Sequence, residues 1–369
     1  MLLALLLLTP AAQTQVRPAQ EGPTFQTPQA EAGMPQAESL RMAEEVHFGA
    51  IRRLTTEGEN AEGYFSWGGT RITYQATIGG YPCDQIYDLD LLSGARRLVS
   101  TGTGRTTCSF FMPNDEGIVF ASTHAADDSC LPPADFSRGY VWKIYPQYDI
   151  YVRDLKSWEL KPLAPADGYD AEAVVAPDGS KIVFTSRRNG DLDIYTMNVD
   201  GTEVTQLTNE LGYDGGPFFS PDSKRIVYRA YYPQTESERD KYQALLDDDS
   251  IEPMALQLYV MNADGSNKVQ VTDNGAANFG PYWHPNGRQI IYCSNQESAS
   301  GRDFDLFLIG DDGSNNERIT YNPSFDGFPM FSADGRNLIF ASNRANQSPR
   351  DTNLFMAEWL DEAQAPRQD

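Results

Sequence analysis

The chain has 369 residues, with 52 acidic and 29 basic side chains and a formal net charge of −23. Nucleic-acid binders neutralise phosphates with Lys and Arg, so this charge excludes a nucleic-acid partner. The sequence has three histidines, at positions 47, 124 and 284, which excludes most metal sites built on several histidines.

The N-terminal segment is predicted to be a targeting sequence. Residues 1–8 read MLLALLLL, a run shorter than the roughly 20 residues that cross a bilayer. An apolar run of this length followed by small residues is typical of a signal peptide, so residues 1–12 predict a periplasmic or secreted protein without an integral membrane segment. Residues 13–44 are rich in Pro and Gln and predict a disordered tether. The folded body is expected over residues 45–360, followed by a C-terminal tail at 361–369.

The body repeats one pattern of strands and turns. Residues 217–228, 281–292 and 329–340 each contain a short apolar strand, a turn of the Pro-Asp-Gly type and a second β-rich strand. Asp-Gly and Asn-Gly turns between such runs indicate hairpins. A third strand follows with an apolar-aromatic pair, as at Ile194-Tyr195, and then a short fourth strand.

A polar residue before the first strand of each unit, here called the polar marker, gives the repeat length. The markers are Asn60, Thr106, Asp170, Asp214, Asn278 and Asp326. Their spacing is about 44 to 48 residues, with about 20 more in units two and four, and four strands in such a length are typical of a propeller blade. Six markers therefore predict an all-β fold, a six-bladed β-propeller with four antiparallel strands per blade.

The last unit lacks a fourth strand after Phe355, because residues 358–369 are polar and contain Pro. Residues 51–55 supply a candidate, since Leu54 lies six residues before Asn60 and the fourth-strand apolar residue of blades two to five lies seven residues before the next marker. We expect the N-terminal strand to complete blade six beside Leu354 and Phe355, which closes the ring and removes exposed sheet edges.

Four short strings carry a family resemblance. They are Asp-Ile-Tyr at 193–195, Met-Asn-x-Asp-Gly at 197–201 and 261–265, Gln-Leu-Thr at 206–208 and Phe-Ser-Pro-Asp at 219–222. These units resemble the WD40-like propeller repeats of the TolB family over about residues 45–360, without the N-terminal α/β domain of the Tol–Pal component. The resemblance implies a TolB-like six-bladed propeller that acts as a protein or peptide interaction module in the bacterial cell envelope.

Two long insertions are the candidate partner site. They span about 123–147 and 230–256, between strands two and three of blades two and four, and they flank blade three on one rim. Long loops on a rigid scaffold often carry function. We expect a groove between them that binds a partner protein or peptide; the alternative is that the inserts fold against each other and cover the rim. Thr235 and Glu238 form a predicted capping box for a short helix. The candidate groove residues are Phe136, Tyr140, Trp142, Tyr145, Tyr231, Tyr232 and Tyr242.

The polar markers are candidates for the mouth of the central channel. Asn60, Asp170, Asp214, Asn278 and Asp326 are expected on the face of the inserts. One interpretation is that Asp170, Asp214 and Asp326 converge on a calcium ion, since carboxylates suit that cation. The other is that each marker bonds to backbone groups of its own turn or of the next blade. The repetition favours this second interpretation, so no cofactor is expected.

The cysteines are consistent with a disulfide in an exported protein. Cys83, Cys108 and Cys130 fall on the same face, and Cys83 is expected to pair with either Cys108 or Cys130. Cys293 is expected to be a buried thiol.

The sequence contains no nucleophile elbow, zinc-binding His-Glu motif, Cys-x-x-Cys or P-loop. A non-catalytic protein is therefore expected. Two alternatives stay open: an oligosaccharide-binding or carbohydrate-active propeller that uses channel-mouth carboxylates, with or without a cation, and a subunit of a larger envelope complex.

Overall fold

A computed structural model describes residues 24–26, 40–346 and 351–360. The predicted signal peptide, most of the predicted tether and the predicted C-terminal tail lie outside these residues. The N-terminal strands are β1 (Thr24–Gln26) and β2 (Phe48–Arg53). Strand β1 falls within the predicted tether.

Six blades of four antiparallel strands form a ring, as the repeat predicts. Blade one contains β3 (Glu59–Phe65), β4 (Arg71–Thr77), β5 (Gln85–Asp90) and β6 (Ala95–Leu98), and β1 pairs antiparallel with β6 as a fifth strand at the outer edge of this sheet. Blade two contains β7 (Thr106–Phe111) and β8 (Gly117–Ser122), then β9 (Trp142–Lys143) in its insert, then β10 (Asp149–Asp154) and β11 (Leu160–Pro162). Blade three contains β12 (Asp170–Val175), β13 (Lys181–Ser186), β14 (Asp193–Asn198) and β15 (Thr205–Gln206).

Blade four contains β16 (Tyr213–Phe219) and β17 (Arg225–Tyr231), an insert with α1 (Glu236–Asp247) and β18 (Ser250–Ile251), and then β19 (Gln257–Asn262) and β20 (Val269–Gln270). Blade five contains β21 (Asn278–Trp283), β22 (Gln289–Ser294), β23 (Asp305–Gly310) and β24 (Glu317–Arg318). Blade six contains β25 (Asp326–Phe331), β26 (Asn337–Ser342) and β27 (Asn353–Trp359). Two single-turn 3₁₀ helices, Pro113–Asp115 and Phe136–Arg138, complete the described secondary structure.

The ring closes through the N-terminal strand. Strand β2 pairs antiparallel with β27, with Arg53 opposite Phe355, and the Leu54 N–H donates to the Leu354 carbonyl at 2.7 Å. The predicted closure is therefore confirmed, although the strand begins at Phe48 rather than Ile51. Ahead of it, the Arg344 guanidinium lies buried between the carboxylates of Glu45 and Asp326, at 2.8 Å from each.

Repeated aromatic pairs fill the blades. In five blades the aromatic residue of strand three lies against the aromatic residue of strand two, with ring centroids 5.7 to 5.9 Å apart. Such rings bury large apolar areas, so one pair per blade anchors each sheet to the core. The pairs are Tyr74–Tyr87, Phe184–Tyr195, Tyr228–Tyr259, Tyr292–Phe307 and Phe340–Phe355.

Candidate functional site

The inner strand of every blade contains a β-bulge at the same place. Each register shifts just after the polar marker, and the residue two positions beyond the marker has a left-handed backbone with φ between 47° and 58°. A left-handed backbone is energetically unfavourable for any residue that has a Cβ atom. A bulge also changes the direction in which the side chain at that position points. The six residues line one cavity in the central channel, and we call them the bulge ring: Glu62, Cys108, Glu172, Gly216, Gly280 and Phe328.

An aromatic plug closes the channel beneath the bulge ring. Tyr64 of blade one and Phe218 of blade four lie opposite each other in the ring, yet their centroids are only 5.7 Å apart. Phe110 packs against both, at 5.8 Å from Tyr64 and 6.4 Å from Phe218. Tyr282 adds a further contact to Phe218 at 5.4 Å. The channel is therefore blind, and a ligand on the insert face meets a floor rather than a pore.

Arg229 is the buried cation of this floor. It comes from β17, and its guanidinium pairs with the Glu172 carboxylate and donates to the Tyr213 hydroxyl at 2.8 Å. Its guanidinium carbon lies 5.1 Å from the Trp142 ring centroid. A side chain at Gly216 would clash with this guanidinium, which explains a glycine at that position of the bulge ring. Arginine is suited to such a site because its planar group both pairs and stacks.

Glu172 is fully engaged by these neighbours. Its second carboxylate oxygen accepts from the Thr185 hydroxyl at 2.7 Å and from the Gly216 N–H at 2.8 Å. Glu172 and Arg229 therefore form a satisfied, neutral pair.

Glu62 is the second acidic residue of the bulge ring, and its surroundings differ from those of Glu172. Its carboxyl contacts the thiol of Cys108, and burial in the channel raises the pKa of Glu62 to about 7. The nearby Glu172 carboxylate raises that pKa further, whereas Arg229 lowers it. Burial also raises the pKa of the Cys108 thiol well above its ordinary value, so the thiol stays protonated at neutral pH.

The first insert forms a roof over the channel. Trp142 lies 5.9 Å from the ring of Phe279 in blade five, so the insert of blade two reaches across the channel mouth. A disulfide joins Cys130 of this insert to Cys83 of blade one, which is one of the two predicted pairings. The cavity beneath this insert is partly open to solvent and measures about 480 Å³, within the range of ligand sites in proteins.

The second insert supports the roof. Strand β18 pairs with β9, placing Ser250 opposite Lys143 and Ile251 opposite Trp142. The predicted capping box at Thr235 and Glu238 is present at the start of α1. The Tyr242 hydroxyl anchors this helix by donating to the Asp191 carboxylate at 2.5 Å. Because the inserts contact each other, the roof is a connected structure rather than two separate loops.

Two aromatic side chains remain exposed at the cavity edge. Phe136 and Tyr140 are 57% and 60% exposed, and their rings are stacked with centroids 6.0 Å apart. The Tyr140 hydroxyl accepts from the Trp142 indole N–H at 3.2 Å. These rings line the same cavity as the floor carboxyl of Glu62.

The two inserts contact each other through β9 and β18, and the candidate groove residues lie in several different surroundings. Phe136, Tyr140, Trp142 and Tyr145 line the cavity under the roof. Tyr242 is 4% exposed within the packing between the inserts. Tyr231 lines a separate space of about 200 Å³ beside α1. The Tyr232 hydroxyl donates inward to the Asp214 carboxylate at 2.7 Å.

The polar markers lie at the seams between blades rather than at an open channel mouth. Asn60, Asp170, Asp214, Asn278 and Asp326 are each at most 2% exposed. Their backbone N–H groups donate to carbonyls that precede strand three of the preceding blade, as Asp214 does to Leu192 at 2.9 Å. Among the described residues, no three His, Cys, Asp or Glu side chains are placed to hold a metal ion. The bulge shifts the channel-facing position two residues further, which the marker pattern did not reveal.

Sequence reasoning missed Glu62, Glu172 and Arg229. The first two carry a recoverable signal, because they stand two residues after a marker. No such signal exists for Arg229, because nothing in the sequence of its strand marks it as a residue that faces the channel. The histidines lie elsewhere: His47 bonds to Glu317 at 3.0 Å, His124 bonds to Ser122 at 2.9 Å, and His284 packs against Phe331.

The comparisons with known proteins agree with this architecture. Residues 140–237 match the family model of the TolB beta propeller domain, from the end of the first insert to the start of α1. The predicted resemblance to TolB propeller repeats is therefore confirmed. No helix in the described parts of the chain is long and apolar enough to cross a membrane.

Three solved structures share the fold. TolB from Acinetobacter baumannii superposes with a TM-score of 0.54 and 18% identity, over 72% of this chain and 55% of that one. A putative TolB from Agrobacterium tumefaciens gives 0.56 and 16%, over 84% and 97%. An oligogalacturonate lyase in complex with manganese gives 0.55 and 16%, over 92% and 98%. The chain thus spans just over half of the Acinetobacter protein, and identities this low show the fold alone.

Proposed function

We propose that this protein is a non-catalytic binding module of the bacterial envelope that takes a short segment of a partner protein into the roofed cavity. The observation that carries the proposal is the blind cavity of about 480 Å³ with two exposed, stacked aromatic rings at its edge. A cavity of this volume holds a few side chains and excludes a folded domain. Exposed aromatic residues are also the side chains that most often dominate binding energy in protein interfaces.

The cavity walls suit a peptide. Trp142, Tyr145, Phe279 and Phe325 contribute rings, and Gln75 and Thr107 contribute polar groups. Apolar walls with a few fixed polar groups are typical of sites that orient a ligand segment.

The proposal predicts that Phe136→Ala with Tyr140→Ala abolishes partner binding without loss of fold. Both side chains are more than half exposed, so their removal changes the free energy of unfolding by only about 0.5 kcal/mol. We expect at least a tenfold loss of captured partner from an envelope extract of the source bacterium, measured by quantitative mass spectrometry. The control is Leu92→Ala, which removes another exposed apolar side chain, one that is 96% exposed. Equal capture by the double variant and the control would refute the proposal.

An oligosaccharide ligand is the second candidate, because aromatic rings and the Glu62 carboxyl line the same cavity. A glycosidase-type mechanism needs a pair of available carboxyls. Glu172 is engaged by Arg229, Thr185 and Gly216, which leaves Glu62 as the available one. The markers first considered for this function, Asp170, Asp214 and Asp326, are too buried to contact a sugar. Thermal shift with a sugar panel, with and without calcium, distinguishes this candidate.

A further inference from the structure

The charged side chains that line the cavity differ in whether other groups of the protein bind them. Arg229 pairs with Glu172 and stacks on Trp142. Arg105 donates to the Leu131 carbonyl at 2.8 Å and lies over the Tyr145 ring.

Lys143 donates to the Asp248 carbonyl at 2.6 Å. Each of the three cations whose described side chains line the cavity is therefore held by groups of the protein itself.

Glu62 is the exception among the charged groups. Its carboxyl contacts the neutral thiol of Cys108, and among the described residues it forms no ion pair, although the charge of Arg229 acts on it from further away. It lies on the floor of the same cavity whose edge carries Phe136 and Tyr140. A carboxyl on a blind floor beneath aromatic walls can bind a cation through charge and through the faces of the rings.

We infer that the partner segment inserts a basic side chain, Lys or Arg, into the cavity and that this side chain pairs with Glu62. The inference rests on the proposed function and specifies the partner chemistry. The long aliphatic stem of such a side chain would pass between the aromatic walls, while its charged end reaches the floor. An acidic side chain would place a second negative charge beside Glu62, and a neutral one would leave the ionised form of Glu62 without a counter-charge.

The environment of Glu62 adds a measurable consequence. The charged and titratable groups that act on it are Glu172, Arg229, Asp84 and Cys108. Because burial raises the pKa of Glu62 to about 7, part of the carboxyl population is protonated at neutral pH. Pairing with a cation favours the ionised form, so binding should release a fraction of a proton per site at that pH.

The test uses a random 12-residue phage peptide library selected against the full chain. We expect enriched peptides to share a Lys or Arg, and a synthetic peptide from the selection to bind Glu62→Gln at least tenfold more weakly. Replacing the shared basic residue by norleucine should cause a similar loss. The control Glu203→Gln removes the same charge from a side chain that is 73% exposed, and it should bind as the unaltered protein does.

Calorimetry in buffers of different ionisation enthalpy measures the proton release, which a merely structural role of Glu62 would not produce. Enriched peptides that lack a basic residue, or that bind Glu62→Gln unchanged, would overturn the inference while leaving the proposed function in place. A library that enriches nothing over the Phe136→Ala, Tyr140→Ala variant would overturn the proposed function itself. Thermal unfolding of Glu62→Gln establishes that a loss of binding is not a loss of fold.

Discussion

Replacing Arg229 by Met is expected to lower the free energy of unfolding by about 3 to 5 kcal/mol, because it leaves Glu172 as an uncompensated buried charge. The Arg229 and Glu172 side chains are only 9% and 12% exposed, so solvent offers Glu172 little compensation. Urea denaturation of the purified chain measures the loss. Arg336→Met is the matched control, since its side chain is 84% exposed and should change stability by about 0.5 kcal/mol at most.

A double variant tests whether the loss of stability comes from the unpaired charge of Glu172 or from the lost packing of the Arg229 side chain. Glu172→Gln combined with Arg229→Met removes both charges, and Gln keeps an oxygen that accepts from Thr185 and from the Gly216 N–H. We expect the double variant to recover most of the lost stability, because replacing both partners of a buried pair is far less costly than replacing one. A double variant no more stable than Arg229→Met would show that packing, rather than the pair, explains the loss.

Asp214→Asn is expected to stabilise the protein, and the gain should grow with pH. Asp214 is fully buried, and burial raises its pKa from 3.8 to about 8. The equivalent markers Asp170 and Asp326 pair with Arg188 and Arg344, whereas a tyrosine, Tyr232, takes that place in blade four. The fold accepts an amide here, because two other blades carry asparagine as their marker.

The direction of this pH dependence follows from which state of the chain, folded or unfolded, keeps the proton of the Asp214 carboxyl. Below pH 3.8 the carboxyl is protonated in both the folded and the unfolded chain, and its contribution to stability is fully present. As the pH rises towards about 8, the unfolded chain ionises while the folded protein retains the proton, so stability falls. Asp214→Asn removes this loss, and we expect its advantage to increase by roughly 3 to 4 kcal/mol between pH 5 and pH 8.

Asp170→Asn provides a graded control in the same structural position. Burial raises the pKa of Asp170 only to about 6, because the half-buried Arg188 guanidinium lies 2.9 Å from its carboxylate and favours the ionised form. Between pH 6 and pH 8 we therefore expect the stability difference between this variant and the unaltered protein to stay nearly constant, whereas that of Asp214→Asn keeps growing. Denaturant titrations at several pH values measure both variants. If Asp214→Asn shows no advantage that grows with pH, Asp214 does not hold its proton at neutral pH.

The fold could be predicted because repetition makes local signals add up. One Asp-Gly turn predicts one hairpin, but six markers at a regular spacing determine a blade count, and Leu54 then has one place left to pair. The capping box at Thr235 and Glu238 was equally accessible, because a helix start depends on residues a few positions apart.

The site could be predicted only in part, since it depends on tertiary contacts that leave little trace in the chain. The inserts meet through a pair of two-residue strands, and nothing in Lys143 or Ser250 identifies the other as its partner. The bulges limited the prediction of the site more than the contact between the inserts did. Because side chains in a strand alternate between faces, a register shift moved the markers to the seams and placed Glu62 and Glu172 in the channel.

Site-specific photocrosslinking in the native envelope tests the central claim, that the roofed cavity binds a partner segment. A photoreactive phenylalanine derivative would replace Tyr140 at the cavity edge in one strain. In a second strain it would replace Leu92, which lies in the turn between β5 and β6 of blade one. We predict a covalent adduct from position 140, joined to one short segment of a single envelope protein and lost when Phe136 is also changed to Ala. An adduct of equal yield from position 92, or none from position 140, would contradict the account.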